Sequence, residues 1–159
     1  MANVLSGKEI TNLIGQKPPL VEGYIDLQEQ IQPNGFDLTL REVALLQTGG
    51  QIGVSNAQRV ISGKSPLPYD AEGYLDLVAG AYVITFNEIV TLPDDIMAMG
   101  APRSSLLRCG VTINMAVWDA GYSGRGQALL VVYNPYKFRI QKNARIAQLV
   151  FWHLDSHTR

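Results

Sequence analysis

The chain has 159 residues with 13 Lys and Arg against 14 Asp and Glu, a net charge of −1, and at ~100–200 residues per domain it reads as one domain, 1–159. Its one cysteine, Cys109, excludes an intrachain disulfide and any zinc site built on paired cysteines, and points to a reducing cytoplasm. The near-neutral charge leaves no broad basic field for nucleic acid, and no apolar run approaches the ~20 residues of a membrane span.

Ser6-Gly7-Lys8-Glu9 is a capping box, and Ile10, Leu13 and Ile14 follow on one face of the helix it starts. Gly15 and Pro18-Pro19 end this helix, the only one that the pattern predicts. Beyond it the chain changes to short runs of β-branched, aromatic and leucine residues between Gly, Pro, Asn and Asp, the punctuation of an all-β domain. Phe36 to Leu40 alternates with period two. Ala81 to Phe86, Gln127 to Tyr133 and Arg145 to Trp152 are more continuously apolar, which predicts strands covered on both faces. Breaks at Gly49-Gly50, Ser65 to Pro68, Pro93 to Asp95, Gly121 to Gly126 and Asn134-Pro135 suit a sandwich or barrel. Charged residues make up 17% against a usual ~25%, so part of the surface is expected to be covered by other subunits.

Four segments carry candidate chemistry. Gln32-Pro33-Asn34-Gly35-Phe36-Asp37-Leu38 leaves one carboxylate at a strand's entrance; taken alone, Asp37 reads as a solvated turn residue. In Pro102-Arg103-Ser104-Ser105-Leu106-Leu107-Arg108, a guanidinium fork beside two hydroxyls suits phosphate oxygens. Trp118-Asp119-Ala120-Gly121-Tyr122-Ser123-Gly124 reads as a tight hairpin that aims Asp119 and Tyr122 into one cleft. Arg145 and Gln148 lie three apart on an apolar strand, where a buried arginine requires a partner.

In this order and spacing the four segments resemble the motifs of the trimeric dUTPase and dCTP deaminase superfamily, over residues ~30 to 152. The capped amino-terminal helix is similar to the deaminase-like, archaeal-type branch. The resemblance implies a distorted jelly-roll-like β-barrel with one short helix and a homotrimer with active sites shared between subunits. It also separates two reactions. In the deaminases a glutamate on the strand pattern Leu-Glu-x-x-Asn shuttles protons; here the strand reads Leu130-Val131-Val132-Tyr133-Asn134, and a valine moves no proton. A single cysteine cannot supply a zinc deaminase's ligands either. The resemblance therefore implies hydrolysis of dUTP to dUMP and pyrophosphate. A dCTP deaminase with a substitute carboxylate and a non-catalytic nucleotide-binding trimer are the competing readings.

By the same resemblance, Asp119 is the catalytic base and Arg103, Ser104, Ser105 and Gln148 hold phosphates. Asn114, Val117 and Tyr122 contact the nucleoside, with Tyr122 excluding a 2′-hydroxyl. Asp37 holds hydrated Mg²⁺ indirectly, and Arg108 and Arg145 support the site, Arg145 by securing its strand or pairing with Asp37. A glycine-rich closing tail is implied too; it is expected beyond Arg159 on a longer chain, the alternative being a site that closes by other residues. Cys109 reads as a small buried hydrophobe, Trp118 and Trp152 as packing groups, and His153 and His157, with no carboxylate or cysteine at metal-ligand spacing, as surface or interface residues.

Overall fold

The computed structural model describes residues 3–158. The Ser6 hydroxyl accepts from the Glu9 N–H at 3.3 Å, and the Glu9 carboxylate accepts from the Ser6 N–H at 2.8 Å. This reciprocal pair starts helix α1 (Gly7–Ile14), and Gly15 ends it. Leu5 before the cap and Ile10 in the first turn are both fully buried, so the helix is fastened to the body of the protein at its start.

Three further turns of helix were not expected: α2 (Leu27–Gln30), α3 (Ser104–Arg108) and a 3₁₀ turn (Asn56–Gln58). Each is held by local contacts in place of an amphipathic stripe. Asp26, for example, accepts from the amides of Gln28 and Glu29 at 3.0 and 3.1 Å. Segments of three to five residues are too short to display a helical period.

The strands are β1 (Val21–Glu22), β2 (Ile31–Gln32), β3 (Gly35–Leu46), β4 (Lys64–Pro66), β5 (Tyr74–Leu77), β6 (Gly80–Thr91), β7 (Ile96–Pro102), β8 (Val111–Asn114), β9 (Ser123–Val132), β10 (Phe138–Gln141) and β11 (Arg145–His153). The main sheet runs β7-β11-β3-β6-β9-β8, with β1 beside β6 and with β2 and β4 beside β3; β5 and β10 form a separate antiparallel pair. Register shifts between Leu40 and Glu42 on β3, and between Thr85 and Ile89 on β6, mark irregularities of the kind that bend a strand. The sheet nearly closes on itself. Ala98 of β7 exchanges both backbone hydrogen bonds with Trp118, at 2.9 Å each, so the edge strand β7 is tied to the β8–β9 connection. The expected barrel-like β fold is present.

The core is one cluster that includes Phe36, Phe86, Phe151, Leu38, Ile84, Leu130 and Leu149. The strands expected to be covered on both faces are covered on one. Along β11, Ile146, Ala147, Leu149 and Phe151 are buried while Gln148, Val150 and Trp152 are half-exposed, and β9 alternates in the same way. The 50–62 loop shares a cleft with Val83 of β6 and Gln127 of β9 on the second face. Cys109 is exposed, against expectation, because α3 ends at Arg108 and leaves the thiol on the outside. Trp118 is buried and Trp152 half-buried, in keeping with packing roles. His153 Nδ1 lies 3.7 Å from the Asp95 carboxylate. Among the described residues no helix is long and apolar enough to cross a membrane.

Candidate active site

Pro33 and Asn34 make a two-residue turn between β2 and β3, with Gln32 opposite Gly35 and Ile31 opposite Phe36. Gly35 is required for close approach: a Cβ there would stand 2.5 Å from the Leu149 carbonyl oxygen and 2.8 Å from the Gln148 side chain. This packing of β3 against β11 sets Asp37 opposite Gln148, and Gln148 in turn opposite Ala101 of β7. Three of the four sequence segments meet here.

Asp37 is 1% exposed and is no solvated turn residue. Its Oδ2 lies 3.3 Å from Arg103 Nε and 3.4 Å from Arg145 Nη1, and it accepts from Gln32 Nε2 at 3.2 Å. Its Oδ1 is buried with no hydrogen-bond partner. Burial pushes the Asp37 carboxyl above its usual range, opposed by Arg103, the Gln148 amide beside it and Arg145. Arg145 pairs with Asp37, one of the two alternatives expected for it. It also donates to the Glu29 carbonyl and lies 3.6 Å from the Glu29 carboxylate. Arg103 donates to the Arg145 carbonyl at 3.3 Å, so the two guanidinium groups are held side by side. The cleft above them holds about 300 Å³ and is lined by Gln32, Asp37, Arg103, Ser104, Gln148 and neighbours. Ser105 and Arg108 are exposed and do not line it.

The third segment builds a separate place. Residues 115–122 join β8 to β9, a longer connection than the tight hairpin expected, and the Tyr122 N–H bonds the Asp119 carbonyl at 3.0 Å. Gly121 takes φ +83, which favours glycine, and its N–H bonds the Pro93 carbonyl at 3.2 Å. Trp118 and Tyr122 meet edge to face with centroids 5.3 Å apart. A cleft of about 120 Å³ is lined by Ala116, Val117, Trp118, Tyr122, Gly126 and Gln127. Val117 and Tyr122 therefore share a cleft as expected, while Asn114 is exposed outside it. Asp119 is exposed outside it too, and its carboxylate makes no hydrogen bond or ion pair with the described residues. Leu154 and Thr158 return to this end of the molecule, bonding the carbonyls of Asp95 and Asp94.

The two clefts lie toward opposite ends of β7. Trp118 bridges Ala98, and the lining of the other cleft begins at Ala101, three residues on, a span of about 10 Å at ~3.3 Å per residue. Val131 is half-buried on β9, between Thr112 of β8 and Ala81 of β6, and brings no carboxylate to that strand.

Three supporting residues escaped sequence reasoning: Glu29, which grips Arg145; Gln30; and Glu88, a fully buried carboxylate on β6. Only Glu88 left a sign, since Asn87-Glu88 interrupts the apolar run from Ile84 to Leu92.

No group of three or more His, Cys, Asp or Glu residues among the described residues could hold a metal by itself. The donor set nevertheless fits Mg²⁺ in a hydrated form. Asp37 keeps one buried carboxylate oxygen unpartnered at the wall of the phosphate-type cleft, and a small hard cation that retains its waters needs few protein ligands when phosphates supply the rest.

A protein of Methanosarcina mazei named "Probable deoxyuridine 5′-triphosphate nucleotidohydrolase" is 46% identical over 153 residues, covering 96% of this chain and 90% of its own. One of the same name from Archaeoglobus fulgidus is 46% identical over 156 residues, covering 98% and 91%. The crystal structure of 2′-deoxycytidine 5′-triphosphate deaminase from Agrobacterium tumefaciens matches with a TM-score of 0.74 at 21% identity. It covers 96% of this chain and 48% of that one. The present chain thus spans about half the length of that deaminase, and the likeness shows the fold. With residues 4–154 matched, the chain belongs to the dCTP deaminase-like family.

Proposed function

We propose that the protein hydrolyses dUTP to dUMP and pyrophosphate, in the cytoplasm, as a homotrimer whose sites are shared between subunits. The observation that carries this reading is the 46% identity, over nine-tenths of their length, to relatives named for hydrolysis of deoxyuridine triphosphate. Val131 supports it over deamination, since a valine at that place neither takes nor gives a proton. Retention of the buried Asp37–Arg103–Arg145 cluster supports a working site over a non-catalytic nucleotide-binding trimer.

In this reading the Arg103 guanidinium turns from Asp37 toward the triphosphate, with Ser104 and Gln148 as further phosphate contacts and Ser105 beside them. Val117, Tyr122 and the strand around Asn114 receive the nucleoside, and the Tyr122 ring leaves no room for a 2′-hydroxyl. The unpaired Asp119 carboxylate orients a water and takes its proton as the oxygen attacks the α-phosphorus. The bond to the bridging oxygen then breaks, and pyrophosphate departs with the electron pair. When bound, Mg²⁺ neutralises the triphosphate and helps the leaving group depart; Asp37 is the residue that would hold its waters.

A trimer accounts for two features of the single chain. Its phosphate-type cleft and its Tyr122 cleft are separate, about 10 Å apart along β7, and in the trimer a second copy brings its half to complete a site. Subunit contact also covers the half-open faces of β9 and β11 and the exposed Met99 and Leu107. The test is to incubate the protein with Mg²⁺ and either dUTP or dCTP and to separate the products. Equimolar dUMP and pyrophosphate from dUTP, with no dUTP or ammonia formed from dCTP, is the expected result. Release of ammonia from dCTP would move the assignment to deamination.

A further inference from the structure

Glu88 is fully buried in β6, and no ion pair among the described residues includes it. Its contacts are all with neutral donors. Oε1 accepts from Gln30 Nε2 at 2.7 Å and from the Thr39 hydroxyl, and Oε2 accepts from the Thr39 N–H at 2.9 Å. The Thr39 hydroxyl itself accepts from Asn87 Nδ2 at 3.0 Å, which directs its hydrogen to Glu88.

Gln30 links this carboxylate to the cleft. Its second Nε2 hydrogen goes to the Asp37 backbone carbonyl at 2.8 Å, and its Oε1 accepts from the amides of Ile25 and Asp26 at 2.7 and 2.9 Å. Gln30 is also the last residue of α2, whose Glu29 grips Arg145. The buried carboxylate is thus one hydrogen-bonded step from the backbone of Asp37 and from the turn that holds Arg145. A carboxylate is a costly way to fill an apolar core. What it supplies that an apolar side chain does not is a pair of fixed acceptors, which set the β3 backbone and α2 relative to each other.

We propose that Glu88 is a positioning residue for triphosphate binding, acting through Gln30 and Thr39 to keep Asp37, Arg145 and Arg103 in register. The proposal rests on the dUTP reading and deepens it. Its test separates the two halves of the ligand. Glu88→Gln keeps the shape but turns an amide donor toward the Thr39 N–H or Gln30; Gln30→Leu keeps the carboxylate and cuts the link to Asp37. For each, KM and kcat for dUTP are measured with inhibition by magnesium pyrophosphate and by 2′-deoxyuridine, which has no phosphate.

Pyrophosphate inhibition and KM should weaken about tenfold, the scale of a hydrogen bond to a charged group, with deoxyuridine inhibition unchanged. If Glu88→Gln does not fold, Gln30→Leu carries the same comparison. A folded variant with unchanged pyrophosphate inhibition would overturn the proposal. Equal weakening of both inhibitors would also overturn it, by showing a general structural role. A wild-type protein that leaves dUTP intact would instead overturn the proposed function, a failure visible before any variant is made.

Discussion

Gly126→Ala is a sharp probe of how the nucleoside side of the site is held. A Cβ at Gly126 would stand 2.0 Å from Trp118 Cη2, 2.5 Å from Cζ2 and 3.0 Å from Cζ3. Carbons in contact need ~3.5–4.0 Å, so the indole must withdraw by roughly 1.5 Å. It has little freedom to do so, because Trp118 is buried and its backbone is bonded in both directions to Ala98. Overpacking of this kind costs ~1–3 kcal/mol, and ~2 kcal/mol corresponds to a Tm lower by about 4–8 °C in a chain of this size. The same shift breaks the edge-to-face contact with Tyr122, worth ~0.5–1.5 kcal/mol, so KM for dUTP should rise roughly two- to tenfold. Thermal unfolding and steady-state hydrolysis read the two effects. Trp118→Phe removes the three clashing carbons, so the double variant should be more stable than the sum of the single losses implies. An unchanged Tm in Gly126→Ala, or strict additivity in the cycle, would refute this account of the packing.

Asp119→Asn should keep dUTP affinity and lose at least ~10²-fold in turnover, the scale of removing a general base; single-turnover kinetics beside a binding isotherm check both. Ser6→Ala should lower stability by about 1 kcal/mol through loss of the α1 cap, without affecting KM, as denaturant unfolding would report. Burial raises the Glu88 carboxyl above its ordinary value of 4.5. The sign follows: the folded protein binds that proton more tightly than the unfolded chain, so acidification through the raised value toward 4.5 relieves the cost of the buried charge. The stability of wild type relative to Glu88→Gln should therefore grow as pH falls through that window, read as the difference in Tm. A difference that shrinks would show that the three donors outweigh burial.

The parts of the fold legible in the sequence are those written in neighbouring residues. The Ser6–Glu9 box and the Ile10 face define α1 within nine positions, and the alternation from Phe36 to Leu40 marks the start of β3. Asp37 was misread, taken alone, because its burial depends on Arg103 and on Arg145, a partner 108 positions away. Its own neighbours are a turn. Cys109 is exposed where a buried residue is expected for a related reason: it follows a five-residue helix, whose sequence carries no period long enough to show which side faces out. The runs at β9 and β11 suggest cover on both faces, but their outer positions, such as Arg125, Gln127 and Gln148, are exposed or half-exposed, since a run of strand-forming residues does not reveal which face meets the core.

The central claim, that the halves of one dUTP-hydrolysing site come from different copies, is tested most directly by mixing two inactive variants. Arg103→Ala removes the phosphate half and Asp119→Asn the base. Unfolded together at equal concentration and refolded, they should form trimers in which about one site in four joins two intact halves, if each site draws one half from each of two subunits. The account predicts dUMP and pyrophosphate release at roughly a quarter of the wild-type rate, with each variant alone inactive. A mixture as inactive as its components, beside refolded wild type that hydrolyses dUTP, would contradict it.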